Sequence, residues 1–83
     1  MPHYHLNIRN GTELDEDTDG AIYPSPGDAR NEAILAARQI MGERIRFGEP
    51  LRKSRFEITD EAGQVVLVMP FEEALVGIFW LSE

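Results

Sequence analysis

The polar and apolar positions of this chain change period along its length. Residues 3–9, "HYHLNIR", alternate: Tyr4, Leu6 and Ile8 point one way, and His3, His5, Asn7 and Arg9 the other. That is the pattern of a strand with one buried face. Asn10–Gly11 is a strong turn signal and predicts a hairpin. The returning arm falls within residues 12–23, with Leu14, Ile22 and Tyr23 as its apolar content. The acids Glu13, Asp15, Glu16, Asp17 and Asp19 in that arm make it short, edge-placed or broken by a loop.

The period then lengthens. In "SPGDARNEA", Ser25 suits a helix N-cap, Pro26 the first helical position, and the Asp28 carboxylate can reach back to the N–H of the cap. The helix is predicted to run to about Phe47, where Gly48 to Pro50 stop it. Ala29, Ala33, Ile34, Ala36, Ala37, Ile40, Met41 and Ile45 share one half of its wheel. Asn31, Glu32, Arg38, Gln39, Glu43 and Arg46 share the other. Asp28 and Glu32 near the start and Arg44 and Arg46 near the end match the helix dipole. Gly42 costs about 1 kcal/mol relative to Ala and predicts a bend or an early end. Arg44 projects within the apolar half and must snorkel to the rim.

A second hairpin follows in "RFEITDEAGQVVLVMP". Its first strand, at about 55–59, turns Phe56 and Ile58 inward. The turn is "DEAG", with Gly63 supplying positive φ. The run at 64–69 is apolar on both faces, which predicts a central strand or one with a face against a partner. Pro70 then starts a short helix, "PFEEALVG". In the tail beyond Gly77, Ile78, Phe79, Trp80 and Leu81 point in every direction if plotted as a helix. They either plug the back of the sheet or form a partner-binding surface.

The fold expected is one α+β domain spanning residues 1–83, ββαββ, with a mostly antiparallel sheet, one long helix across one face and a short apolar C-terminal segment. A chain this short buries about 60–65% of its unfolded surface.

Composition narrows the chemistry. There is no cysteine, which excludes disulfides, thiol catalysis and cysteine-held metal, and favours a reducing, cytoplasmic address. No apolar run reaches the roughly 20 residues of a membrane span, so no membrane partner is expected. With 15 acids against 8 bases the net charge is −7, which disfavours nucleic acid. The charge is unevenly spread. Acids crowd residues 13–19, while Arg44, Arg46, Arg52, Lys53 and Arg55 crowd the middle of the chain. The two are either solvated patches or a complementary pair that sets docking orientation.

Asp15, Asp17, Asp19 and Gly20 occupy positions one, three, five and six of a calcium loop of the EF-hand kind, with Ile22 at position eight. Position twelve is Pro26, which has no ligating side chain, and a strand and turn precede the loop rather than a helix. A solvated acidic turn is the expected reading. His3 and His5 share a strand face and could grip a transition metal only with a third ligand from that turn or a neighbouring strand. Ser25, Ser54 and Ser82 form no recognisable nucleophile set, and no glycine-rich phosphate loop is present. No cofactor and no catalytic residue is expected.

The succession "MPHYHLNIRNG", an acidic segment ending in glycine, "DARNEAILAAR" and "RFEITDEAGQVVLVMPFEEAL" resembles a small bacterial family, common in alphaproteobacteria such as the rhizobia, known only as a domain of unknown function. The likeness covers about residues 1–75. It carries no activity or catalytic residues, and it implies that "DEDTDGAIYP" is the acidic turn and strand leading into the helix. A more distant resemblance is to HicB-type antitoxins, although their Asp-Leu-Pro-Gly element and DNA-binding segment are missing. Three functions are expected in turn. The first is a non-catalytic protein-binding or self-associating module, and the second an antitoxin-like protein masking a basic partner. The third is weak metal binding through His3, His5 and the acidic turn.

Overall fold

The computed structural model describes residues 2–76. The order of elements is β1 (His3–Asn10), β2 (Glu13–Asp15), β3 (Ala21–Ile22), α1 (Pro26–Arg46), β4 (Ser54–Thr59), β5 (Val65–Pro70) and a 3₁₀ turn (Phe71–Leu75). All strand pairs are antiparallel, in the order β2-β1-β4-β5, with β3 also on β1. The architecture is α+β, with strands before and after one long helix.

The returning arm of the first hairpin is broken. β2 pairs with Ile8 to Asn10, and β3 pairs with His3 and Tyr4. Residues 16–20 loop out between them, because a run of carboxylates gains more from water than from a ladder. Gly20, at φ +66, brings the chain back to β1.

Ser25 caps α1, its Oγ accepting the Asp28 N–H at 3.3 Å. The Asp28 carboxylate accepts the Ser25 hydroxyl at 2.8 Å rather than reaching the cap's N–H, since Asp is one methylene shorter than the glutamate of a full capping box. The helix passes through Gly42 without ending and stops at Arg46. Ala29, Ala33 and Ala37 are fully buried at four-residue spacing, with Met41 continuing the row. Their small side chains let α1 lie close on the sheet, against Tyr4, Phe56, Ile58 and Met69. Burying each of those four contributes about 1.5–3 kcal/mol.

Two expectations are corrected. Ile45, placed on the apolar half of the wheel, is 66% exposed. The buried row of α1 ends at Met41, and in the last turn it is Arg44 that faces Ser54 and Phe71, which leaves Ile45 in solvent. The run Val65–Met69 is not a central strand. β5 ends the sheet order, and Val65, Val66 and Val68 are exposed while Leu67 and Met69 face the core. The central strands are β1 and β4.

The β4–β5 turn is built on Asp60. Its carboxylate accepts the N–H groups of Ala62 and Gln64, and Gly63 sits at φ +80. The 3₁₀ turn then crosses back onto α1. Arg30 pairs with Glu73 at 2.9 Å, and Arg38 Nε donates to the Ala74 carbonyl at 2.9 Å.

Candidate functional site

The break in the first hairpin leaves the middle of β1 without a neighbouring strand on the arm's side, and the acidic loop supplies what is missing. Asp17 is its keystone. One carboxylate oxygen accepts the Leu6 N–H at 3.1 Å and the other the Gly20 N–H at 3.1 Å. Its own N–H donates to Asn7 Oδ1 at 2.9 Å. Asn7 Nδ2 in turn donates to Thr59 Oγ1 at 3.3 Å, which ties the loop to β4.

His3 and His5 hold the same loop. Their rings stack with centroids 5.3 Å apart. A carbonyl oxygen only accepts, so His3 Nε2 donates to the Asp19 carbonyl at 2.9 Å and His5 Nδ1 to the Asp17 carbonyl at 2.6 Å. Each imidazole thus spends one ring nitrogen on the loop backbone. The structure brings His3, His5 and Asp17 together, and turns the Asp15 and Asp19 side chains to solvent. Among the described residues no three His, Asp or Glu side chains could share a metal ion. At the third position of the EF-hand-like run, the Asp17 carboxylate accepts the backbone N–H groups of Leu6 and Gly20.

Sequence reasoning missed Asn7. It alternates with the outward residues of β1 yet is only 8% exposed, because the acidic loop folds over it. Beside it lies an open depression of about 330 Å³ between the loop and the β4–β5 turn, lined by His5, Asn7, Glu16, Asp17, Thr59, Asp60 and Glu61 among others.

On the same outer face Arg9 and Arg55 share Glu57. Arg9 donates from Nε and Nη2 to the two Glu57 oxygens at 3.3 Å each, and Arg55 Nη2 lies 2.9 Å from Oε2. These contacts, the Arg9 hydrogen bonds foremost, hold the Glu57 carboxyl below the ordinary glutamate range against the effect of burial. Tyr23 moves the other way. Burial raises its phenol first, and Glu32 and Asp17 add to it.

The basic cluster forms a corner where α1 gives way to the loop before β4. Arg44 lies over the Phe71 ring at 5.7 Å and donates to Ser54 Oγ at 3.4 Å. Ser54 also bonds Asn10 Oδ1, so this arginine braces the core rim, as its place on the wheel required. Arg46 lies 5.2 Å above the Phe47 ring. Arg52 and Lys53 are exposed. Around them Ile45, Phe47 and Leu51 are 53–67% exposed. The partner-surface candidates Ile78, Phe79, Trp80 and Leu81 lie outside the described residues.

Residues 3–72, which hold every element from β1 to the start of the 3₁₀ turn, match the family described as Domain of unknown function (DUF6894). The chain belongs to that family. No curated protein and no solved structure matches it significantly. The acidic break and the alanine face both lie within the stretch matched to DUF6894. The match stops before the apolar tail. No helix among the described residues is long and apolar enough to cross a membrane.

Proposed function

We propose that this chain is a non-catalytic, cytosolic module that binds a protein partner, another copy of itself included. The observation that carries the reading is the corner at the end of α1. There Ile45, Phe47 and Leu51 lie exposed among Arg44, Arg46, Arg52 and Lys53, and among the described residues none of these bases pairs with a carboxylate. Exposed apolar side chains rimmed by unneutralised charge are the composition of a docking surface.

Two further features support it. The buried polar side chains among the described residues, Asn7 and Ser54, are both hydrogen-bonded into the framework. They brace strands and loop instead of lining a closed pocket. The absence of cysteine supports a reducing compartment.

The test is affinity capture of the tagged protein from its own cells at low and moderate salt. A variant with Ile45, Phe47 and Leu51 changed to Ser runs beside it once its fold is checked by circular dichroism. One stoichiometric partner, retained by the native chain and lost by the variant, is the expected result. Retention of a short basic protein through the acidic edge instead would be the antitoxin-like case. Equal recovery with both proteins, or recovery of nothing by a chain that also stays monomeric, would sink the reading.

A further inference from the structure

Two surfaces of this molecule complement each other in charge and in apolar content, yet do not meet within one chain. The first is the β2–β3 edge. Glu13, Asp15, Glu16 and Asp19 are exposed there with no base among residues 13–19, and Leu14 and Ile22 are 40% and 59% exposed. The second is the corner at residues 43–53, where four bases outnumber Glu43 and Glu49 and three large apolar side chains stand out.

The two surfaces begin two strands apart. Ser54, at the foot of the corner, pairs with Asn10, which pairs with Glu13 on its other side. Two strand spacings, about 10 Å, separate the backbones of the nearest ends. The remaining acids run along the edge away from the corner. Among the described residues, every ion pair uses Arg9, Arg30 or Arg55, and none joins edge to corner.

We propose that the corner docks the acidic β2–β3 edge of a second copy. This rests on the protein-binding reading and names its partner. Edge and corner are different surfaces, so the contact either runs head to tail and adds copies in series, or repeats twice across a two-fold, edge to corner and corner to edge. Each copy carries −7 overall, so the attraction is local: the opposite charges of the two patches set the orientation at close range, where Leu14 and Ile22 meet Ile45, Phe47 and Leu51.

The test uses two charge-reversed full-length chains. One carries Glu13→Lys, Asp15→Lys and Glu16→Lys. The other carries Arg46→Glu, Arg52→Glu and Lys53→Glu. All six positions are exposed, and Arg44 and Asp17, which hold the fold, are left alone. Circular dichroism and urea melts confirm that both fold. Sedimentation is run at about 0.1 M and about 1 M salt, where the screening length falls from about 10 Å to about 3 Å, short enough at both to weaken the repulsion between net charges.

The native chain is expected to grow in mass with concentration at low salt and to lose that growth at high salt. Each reversed chain alone is expected to stay monomeric, since its edge and corner then carry one sign. An equimolar mixture of the two is expected to associate again, because each edge finds an opposite corner. A native chain that stays monomeric at low salt overturns the proposal. So does association that either reversed chain keeps on its own, or a mixture of folded variants that fails to restore it. Such failures leave the broader reading standing if capture still returns a different protein at the corner.

Discussion

The carboxylate of Asp17 accepts the backbone N–H of Leu6 at 3.1 Å, at a point of β1 that lies between its pairings with β2 and β3. A side chain thus stands in for a missing strand residue. The same carboxylate accepts Gly20 N–H on the far side of the loop, so it fastens both the break and the return. An unpaired N–H at a half-covered strand is costly, and an anionic acceptor answers it more strongly than a neutral one.

The three aspartates of the loop are therefore unequal. Asp17→Ala is expected to destabilise the fold by about 1–3 kcal/mol, because it leaves two backbone donors without their acceptor. Asp15→Ala and Asp19→Ala, whose side chains face water, are expected to stay within about 0.5 kcal/mol. Urea unfolding of the three variants checks the order. Equal losses, or loss only when calcium is present, would restore the cation-loop reading.

Gly20 and Gly42 are expected to respond to alanine in opposite directions. A Cβ at Gly20 would lie 2.7 Å from His3 Nε2 and 2.8 Å from the Tyr4 carbonyl oxygen, at φ +66. The imidazole can swing aside, but the carbonyl belongs to β1 and cannot. Gly20→Ala is expected to cost roughly 2 kcal/mol or more, combining left-handed strain with the clash. At Gly42 an added Cβ meets nothing within 4 Å and the backbone is helical. Gly42→Ala is expected to gain about 0.5–1 kcal/mol. Thermal melts of both variants decide it, and a loss at Gly42 would mean that the end of α1 is bent by need.

What the sequence makes legible here is local. Ser25–Pro26 and the alanine spacing announce α1, and Asp60 to Gly63 announce the second turn, because cap and turn chemistry act within a few residues. The expectation of an arm broken by a loop follows from the acids alone. What stays hidden depends on distant chain. Three aspartates at alternate positions look alike until the gap in β1 selects Asp17. Asn7 reads as an outward residue until a loop ten positions away covers it. Val65 to Met69 read as a central strand or as one with a face against a partner, because apolar runs do not reveal strand order; β5 is not central. Ile45 reads as core because a helical wheel does not show that Arg44 takes the packed side of the last turn.

Close approach of α1 to the sheet depends on its alanine row. Ala29, Ala33 and Ala37 are 0% exposed, and Ala33 sits at the middle of the row. Ala33→Leu inserts volume at a fully buried position of the helix–sheet contact and is expected to destabilise by about 1–3 kcal/mol. A domain of this size loses about 4–8 °C in melting temperature per kcal/mol. Ile45→Ala, at a side chain that stands in solvent, is expected to leave the melt within about 0.5 kcal/mol of the native chain. A large loss at Ile45 would show that the last helical turn is covered after all.

Glu57 gives the fold a pH dependence whose sign can be worked out. Its folded carboxyl is held below the ordinary range, chiefly by the hydrogen bonds from Arg9 and further by Arg55, while burial opposes them. On acidification the unfolded chain therefore takes up the Glu57 proton first. The stabilisation is fully present above the unfolded glutamate value of about 4.3 and is lost as pH falls through the folded value. Glu57→Gln removes the anion between two arginines and is expected to cost up to about 1 kcal/mol at neutral pH and low salt. The gap between native and variant stability should hold steady from neutral pH to about 5.5 and close in stronger acid, where the native side chain is also uncharged. In Arg9→Gln the Glu57 carboxyl should titrate at a higher pH, read directly by carboxyl NMR, because Arg9 contributes the largest share of the shift. A gap that persists unchanged into strong acid, with no movement of the Glu57 titration, would mean that packing rather than charge holds β1, β4 and their shared carboxylate together.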